Sequence, residues 1–153
     1  MGVDIHLRVC YWDRFKHSYE EIKLYRKDGD QFKLIPLFSG RNSELFDYLN
    51  GAEGDLPFKG IDLEDSTLPK ELHDEISECK NITGYYDFFE INLADLKLYF
   101  NKHPKARDWD EEDEIYKDHP IKYFIELIES ILSVANVWFN FDSEIRIFYW
   151  FDC

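Results

Sequence analysis

Hydrophobic and polar positions alternate from Gly2 to Tyr11. Val3, Ile5, Leu7, Val9 and Tyr11 fall on one side, and Asp4, His6, Arg8 and Cys10 on the other. A period of two is what a strand with one buried face requires. The pattern predicts a first strand that anchors a core with one face and presents a carboxylate, an imidazole and a guanidinium with the other.

The alternation returns after a polar stretch. Ile22 and Leu24 alternate with charges across Tyr19 to Arg26, which predicts a second strand folded back on the first. Lys27-Asp28-Gly29-Asp30 carries an Asp-Gly turn signal, and Phe32 to Phe38 reads as a third strand. Pro36 cannot donate to a ladder and places that strand at an edge.

The period then changes to that of a helix. Asn42 or Ser43 caps a helix running to about Asn50, with Leu45, Phe46 and Leu49 on one face and Gly51 as its stop. The stretch from Gly51 to Thr67 reads as a long surface loop. Pro69 opens a helix to about Cys79 in which Leu68, Leu72 and Ile76 share a face, and Asn81 to Gly84 reads as a turn. Tyr85 to Ile91 predicts an aromatic strand. Asn92 caps the next helix, whose inward positions are Leu93, Leu96 and Phe100.

The strongest apolar stripe runs Ile121, Phe124, Ile125, Ile128, Ile131, Leu132 and Ala135. It predicts a long packing helix from Pro120 to about Trp138. In the last strand, Glu144 to Asp152, Ile145, Ile147, Tyr149 and Phe151 point one way, and Arg146, Phe148, Trp150 and Asp152 the other. Together these elements predict a single α+β domain over 1–153, with a mixed or antiparallel sheet of about five strands and three to four helices. The first and last strands are expected inside the sheet, with the long helix across it.

Composition narrows the function classes. Of 153 residues, 32 are Asp or Glu against 18 Lys or Arg, a formal net charge of −14. Such a surface repels phosphate backbones and excludes ordinary nucleic-acid binding. Aromatic residues make up 18% of the chain, enough to line a pocket as well as a core. The cysteines are Cys10, Cys79 and Cys153, an odd count without a CxxC pair. That points to no disulfide framework and to a reducing cytoplasm. No apolar run approaches a membrane span, so no membrane partner is expected.

Three groups of residues could carry chemistry. Asp4 and His6 lie two apart on one strand face, about 7 Å at Cα. If the last strand is a neighbour, Asp152 completes an alternative metal set of Asp4, His6 and Asp152 for a small metal-dependent hydrolase. A buried, hydrogen-bonded histidine with a carboxylate partner is the plainer account of the first two. Gly40-Arg41-Asn42 precedes a helix start, where free amides and a guanidinium form an anion pocket. Tyr85, Tyr86 and Trp150 could stack on a base beside it. The third group is an acidic insert, 105–118, holding Asp108, Asp110, Glu111, Glu112, Asp113, Glu114 and Asp118. It lacks the glycine and final glutamate of an EF-hand loop, and would serve as a docking strip or a mimic of a phosphate backbone.

Met1-Gly2-Val3-Asp4-Ile5-His6, Gly40-Arg41-Asn42, Gly84-Tyr85-Tyr86-Asp87-Phe88 and the ending Phe151-Asp152-Cys153 resemble a group of small uncharacterised phage and bacterial proteins. The resemblance implies a phage or mobile-element setting, in which small acidic proteins often act against host defence. The expected function is a non-catalytic acidic protein that binds or sequesters a phosphorylated nucleotide-like ligand. Its expected site is Asp4, His6, Gly40, Arg41, Asn42, Tyr85, Tyr86, Trp150 and Asp152. The alternatives are an acidic inhibitor, or nucleic-acid mimic, of a host defence protein and the metal-dependent hydrolase. No cofactor is expected, the partner is a nucleotide-like molecule or a defence protein, and a homo-oligomer is compatible with the reading.

Overall fold

The computed structural model describes residues 4–38, 45, 49, 58–83, 88–104 and 119–151, with the side chains at 82 and 83 left aside. Within them the chain forms β1 (Ile5–Asp13), β2 (Ser18–Glu21), β3 (Leu24–Asp28), β4 (Gln31–Ile35), β5 (Lys59–Gly60), α1 (Lys70–Thr83), β6 (Phe88–Asn92), α2 (Leu93–Lys102), α3 (Pro120–Ala135), a short 3-10 turn (Asp142–Glu144) and β7 (Ile145–Phe151). It is a single α+β domain.

Five strands make one sheet in the order β2-β1-β7-β6-β5, and β3 and β4 form a separate hairpin. All pairings in the sheet are antiparallel. The first and last strands are neighbours, with Ile5 opposite Phe151 and Tyr11 opposite Ile145. β7 is therefore the central strand, paired on one side with β1 and on the other with β6.

Both faces of the sheet are covered. Ile5, Leu7, Val9, Ile91, Ile145, Ile147, Tyr149 and Phe151 meet the apolar stripes of α2 and α3 in the larger core. Leu45 and Leu49, helical and fully buried, belong to it, and the Tyr149 hydroxyl donates to the Leu49 carbonyl at 3.1 Å. On the other face, Cys10, Phe88, Phe148 and Trp150 pack against Leu72, Ile76 and Cys79 of α1. The expected polar face of β1 is thus not an open surface. Arg8 crosses it to pair with Glu21 of β2 and Glu75 of α1. Three layers result, a helix pair, the sheet and a single helix.

Several boundaries differ from the sequence reading for local reasons. The second strand divides: β2 ends at Glu21, where the Ile22 amide donates to the Val9 carbonyl at 2.8 Å and its side chain enters the core. The chain then leaves the sheet and pairs with itself as β3–β4, turning at Gly29 with φ +63°. α1 continues through Asn81 to Thr83, which the expected turn had excluded. Phe88 begins β6, and Tyr85 and Tyr86 lie outside the described residues. In α2 the third buried position is Tyr99 and not Phe100. α3 stops at Ala135 because Asn136 adopts the left-handed conformation and caps it through its amide, three residues short of Trp138. The expected loop from Gly51 to Thr67 includes the short strand β5.

Cys79 is disulfide-bonded, whereas Cys10 is a free, buried thiol. The expectation of no disulfide is corrected by that bond, whose partner is not among the described residues. None of the described helices is long and apolar enough to cross a membrane.

Candidate functional site

Arg146 is the second residue of β7 and sits on the α1 face of the sheet, where its neighbour in register is Asn92 of β6. Glu90 lies two residues back along β6, a diagonal neighbour within reach of a long side chain. Arg146 Nε and Nη2 donate to Glu90 Oε2 at 3.0 and 2.6 Å. Nη2 also donates to Asp65 Oδ2 at 3.0 Å, and Nη1 to Thr67 Oγ1 at 3.3 Å. The guanidinium carbon lies 4.7 Å from the ring centre of Tyr19 and 5.0 Å from that of Phe148. One cation thereby ties together β2, β6, β7 and the loop before α1.

The surrounding groups are equally committed. Glu90 is buried, and its second oxygen receives Lys59 Nζ of β5 at 3.1 Å. Asp65 Oδ1 accepts from both the amide and the hydroxyl of Thr67. Burial opposes the ionisation of Asp65, but Thr67 and then Arg146 outweigh it and hold the carboxyl below its ordinary range. Burial likewise opposes the charge of Arg146, and Glu90 with Asp65 more than offsets it, so the guanidinium is held more firmly charged than usual. Burial raises the Tyr19 phenol above its ordinary value, so this ring meets a ligand as a neutral hydroxyl.

These residues wall a cavity of about 410 Å³ that also takes in Asn92, Asp95 and Ser143. Its size suits a small polar molecule. Asn92 caps α2 through Asp95: the Asp95 amide donates to Asn92 Oδ1 at 2.8 Å, and Asn92 Nδ2 donates to Asp95 Oδ2 at 2.9 Å. The wall contains the carboxylates of Asp65, Glu90 and Asp95 against the cations of Lys59 and Arg146.

The expected site residues fall elsewhere. Asp4 is exposed and His6 half-buried at the start of β1, while Trp150 is fully buried. His6 stacks on Trp150 with ring centres 5.8 Å apart, and Arg8 covers the same indole at 5.3 Å. Trp150 thus forms the buried floor behind His6. Trp150 and Arg146 share one face of β7 four residues apart, about 13 Å along the strand. Gly40, Arg41, Asn42, Tyr85, Tyr86, Asp152 and the acidic insert lie outside the described residues. Among the described residues, no group of three or more His, Cys, Asp and Glu could hold a metal ion.

Sequence reasoning missed Arg146, Glu90, Asp65, Lys59 and Asp95 as a unit. Glu90 did leave a trace, as the one charge inside an otherwise buried strand, Phe88-Phe89-Glu90-Ile91. A carboxylate there needs a cation on the adjacent strand. No protein-family model, curated protein or solved structure matches this chain.

Proposed function

We propose that the chain is a non-catalytic binding protein that holds a phosphorylated, nucleotide-like ligand, in the manner of a phage anti-defence protein that sequesters a signal. The observation that supports a binding role is the ring of paired charges around Arg146, which gives the cavity rigid polar walls. Walls fixed before the ligand arrives lower the ordering cost of recognition. Asp95, Asn92 and Ser143 offer acceptors and donors to a hydroxylated ring such as ribose, and the exposed Lys59 ammonium at the rim offers a phosphate contact. The Gly40-Arg41-Asn42 anion pocket belongs to the same reading, and helical Leu45 and Leu49 downstream are consistent with a helix after Asn42.

Thermal shift against cyclic and ADP-ribose-type nucleotides tests it, because a ligand that binds only the folded state raises the melting temperature by mass action. The bound nucleotide should be recovered intact. Lys59→Ala and Arg41→Ala should each weaken binding by about tenfold or more, the scale of a charge-assisted contact. An unchanged melting temperature across the panel at about 1 mM ligand, far above a useful Kd, rejects the reading.

One observation favours a second reading, an acidic inhibitor of a host defence protein. The cavity wall holds more carboxylates than cations, and the chain is strongly acidic. A lysine or arginine of a partner would then enter the cavity, and added salt would weaken the complex steeply. Asp95→Asn separates the two, since it weakens a cationic occupant and leaves a phosphate contact at Lys59 in place.

A further inference from the structure

Asp65 and Thr67 reach Arg146 from a stretch that belongs to neither a strand nor a helix, whereas Glu90 and Lys59 stand on β6 and β5. That stretch is a strap with two fixed ends. Ile61 is buried and its amide donates to the Phe88 carbonyl at 3.0 Å, and Leu68 is buried with Leu72 and Ile76 of α1. Between them Leu63 packs against the same core, and Asp62, Glu64 and Ser66 are exposed. The strap keeps its own shape: Asp62 Oδ1 accepts from the Glu64 amide at 2.9 Å, and the Asp62 carbonyl accepts from the Asp65 amide at 3.3 Å. Asp65 and Thr67 hold its second half to the sheet through Arg146.

The two carboxylates on Arg146 are not equivalent. The Glu90 side chain is 5% exposed and is shared with Lys59, while that of Asp65 is 25% exposed. Releasing Glu90 would strand a buried charge. Releasing Asp65 returns a carboxylate to water and leaves Arg146 paired with Glu90, so the loss is nearer that of a surface ion pair. The place it vacates lies in the cavity wall, facing Arg146 Nη2, with Lys59 on the other oxygen of Glu90. Without Asp65 the cations of Lys59 and Arg146 are matched by Glu90 and Asp95, and the wall no longer opposes an anion by net charge.

We infer that Asp65 is a built-in competitor: it occupies the phosphate position on Arg146, and a phosphate or diphosphate group enters the cavity by displacing it and lifting the strap. This rests on the reading of the cavity as a site for a phosphorylated ligand, and makes Arg146 the principal phosphate contact. Its planar fork offers Nη1 and Nη2 to two phosphate oxygens, as it offers them to Thr67 and Asp65 in the closed strap. The closed strap lowers the apparent affinity by the fraction of molecules in which Arg146 is occupied. A ligand that also fills the rest of the cavity is thereby favoured over a bare anion.

Calorimetric titration of the full chain with inorganic pyrophosphate tests it. Asp65→Asn keeps an acceptor for the Thr67 amide and hydroxyl but removes the ion pair. It should bind pyrophosphate about tenfold more tightly than the parent, the scale of one charge-assisted hydrogen bond. Thr67→Ala changes no charge and loosens the same contact, so it should gain in the same direction. Glu64→Gln neutralises the exposed neighbour on the strap and should bind as the parent does. Saturating pyrophosphate should quicken exchange of the Asp65 and Leu68 amides in the parent. An Asp65→Asn variant no tighter than the parent, a Thr67→Ala variant without gain, a Glu64→Gln gain as large as that of Asp65→Asn, or strap amides indifferent to pyrophosphate overturns the inference. Nucleotides separate it from the reading beneath it. Equal thermal shifts with ADP-ribose-type nucleotides in the parent and Asp65→Asn leave that reading standing and refute the competitor. Tighter pyrophosphate binding to Asp65→Asn, with no nucleotide shift in either protein, does the reverse.

Discussion

Glu90 and Arg146 sit diagonally across the β6–β7 pair with Oε2 and Nη2 2.6 Å apart, and both are removed from most solvent. The pair is costly to desolvate and costlier to break, because the survivor is left as a buried, uncompensated charge. Arg146→Ala should destabilise the protein by about 3–5 kcal/mol in urea unfolding, towards the lower end because Lys59 still reaches Glu90. Replacing both partners, as Arg146→Met with Glu90→Leu, should recover most of that loss. A single-variant loss below about 1 kcal/mol, the scale of an exposed ion pair, would show that the two are not coupled through burial.

Stability should also fall with acid through His119. Its Nδ1 accepts from the Ile121 amide at 3.0 Å and so caps α3, which requires an unprotonated nitrogen. Burial, outweighing a hydrogen bond to the His103 backbone that favours the charged form, holds the imidazole pKa below its ordinary 6.5. The unfolded chain therefore takes up the proton first as pH falls. The contribution of the neutral ring is present above pH 6.5 and is lost below it. Melting curves recorded between about pH 7.5 and 5 should show this decline, and His119→Asn, which keeps a capping oxygen, should flatten it.

Much of this fold is legible in the sequence. The alternation in β1 and β7, the Asn92 cap, the Pro120 start and the Asp28-Gly29 turn all act locally, and each appears where local rules put it. The covered second face was not legible. Arg8 and Arg146 make that face look solvated when each strand is read alone. Their charges are consumed by Glu75 and Glu90, 67 and 56 residues away, and nothing local announces those partners. Trp150 reads as an aromatic on a polar face for the same reason, and the helix above it turns it into core. Asp65 and Thr67 sit in a stretch without periodicity, so their convergence on Arg146 follows only from the sheet order.

The thiols should divide by accessibility and bonding. Burial pushes the Cys10 thiol far above its ordinary pKa, with Glu21 adding to the effect, so it should resist alkylation in the native protein. With Cys79 disulfide-bonded, alkylation of the denatured protein without reductant should label Cys10 and spare Cys79, and reduction should make Cys79 reactive. Mass spectrometry after alkylation locates the labels. A label on Cys79 before reduction would contradict the bond.

Gly29 carries the hairpin turn at φ +63°, where a Cβ would have free space but a strained backbone. Gly29→Ala should cost about 1–2 kcal/mol, the usual penalty for an L-residue in that region. The loss should be confined to the ribbon, seen as faster amide exchange from Leu24 to Ile35 with exchange in β1 and β7 unchanged.

The pairing of β1 with β7 joins positions 5–11 to positions 145–151, so the centre of the sheet is made after every other described element. Until it arrives, β1 and β6 have no common neighbour, and the apolar faces of α1 and α3 have no sheet between them. Closing so long a loop early is entropically expensive, and topologies dominated by such contacts fold slowly. Nascent chains paused short of Ile145 should therefore be protease-sensitive along their whole length. Refolding from denaturant should be a single slow event rather than the stepwise growth of an N-terminal hairpin.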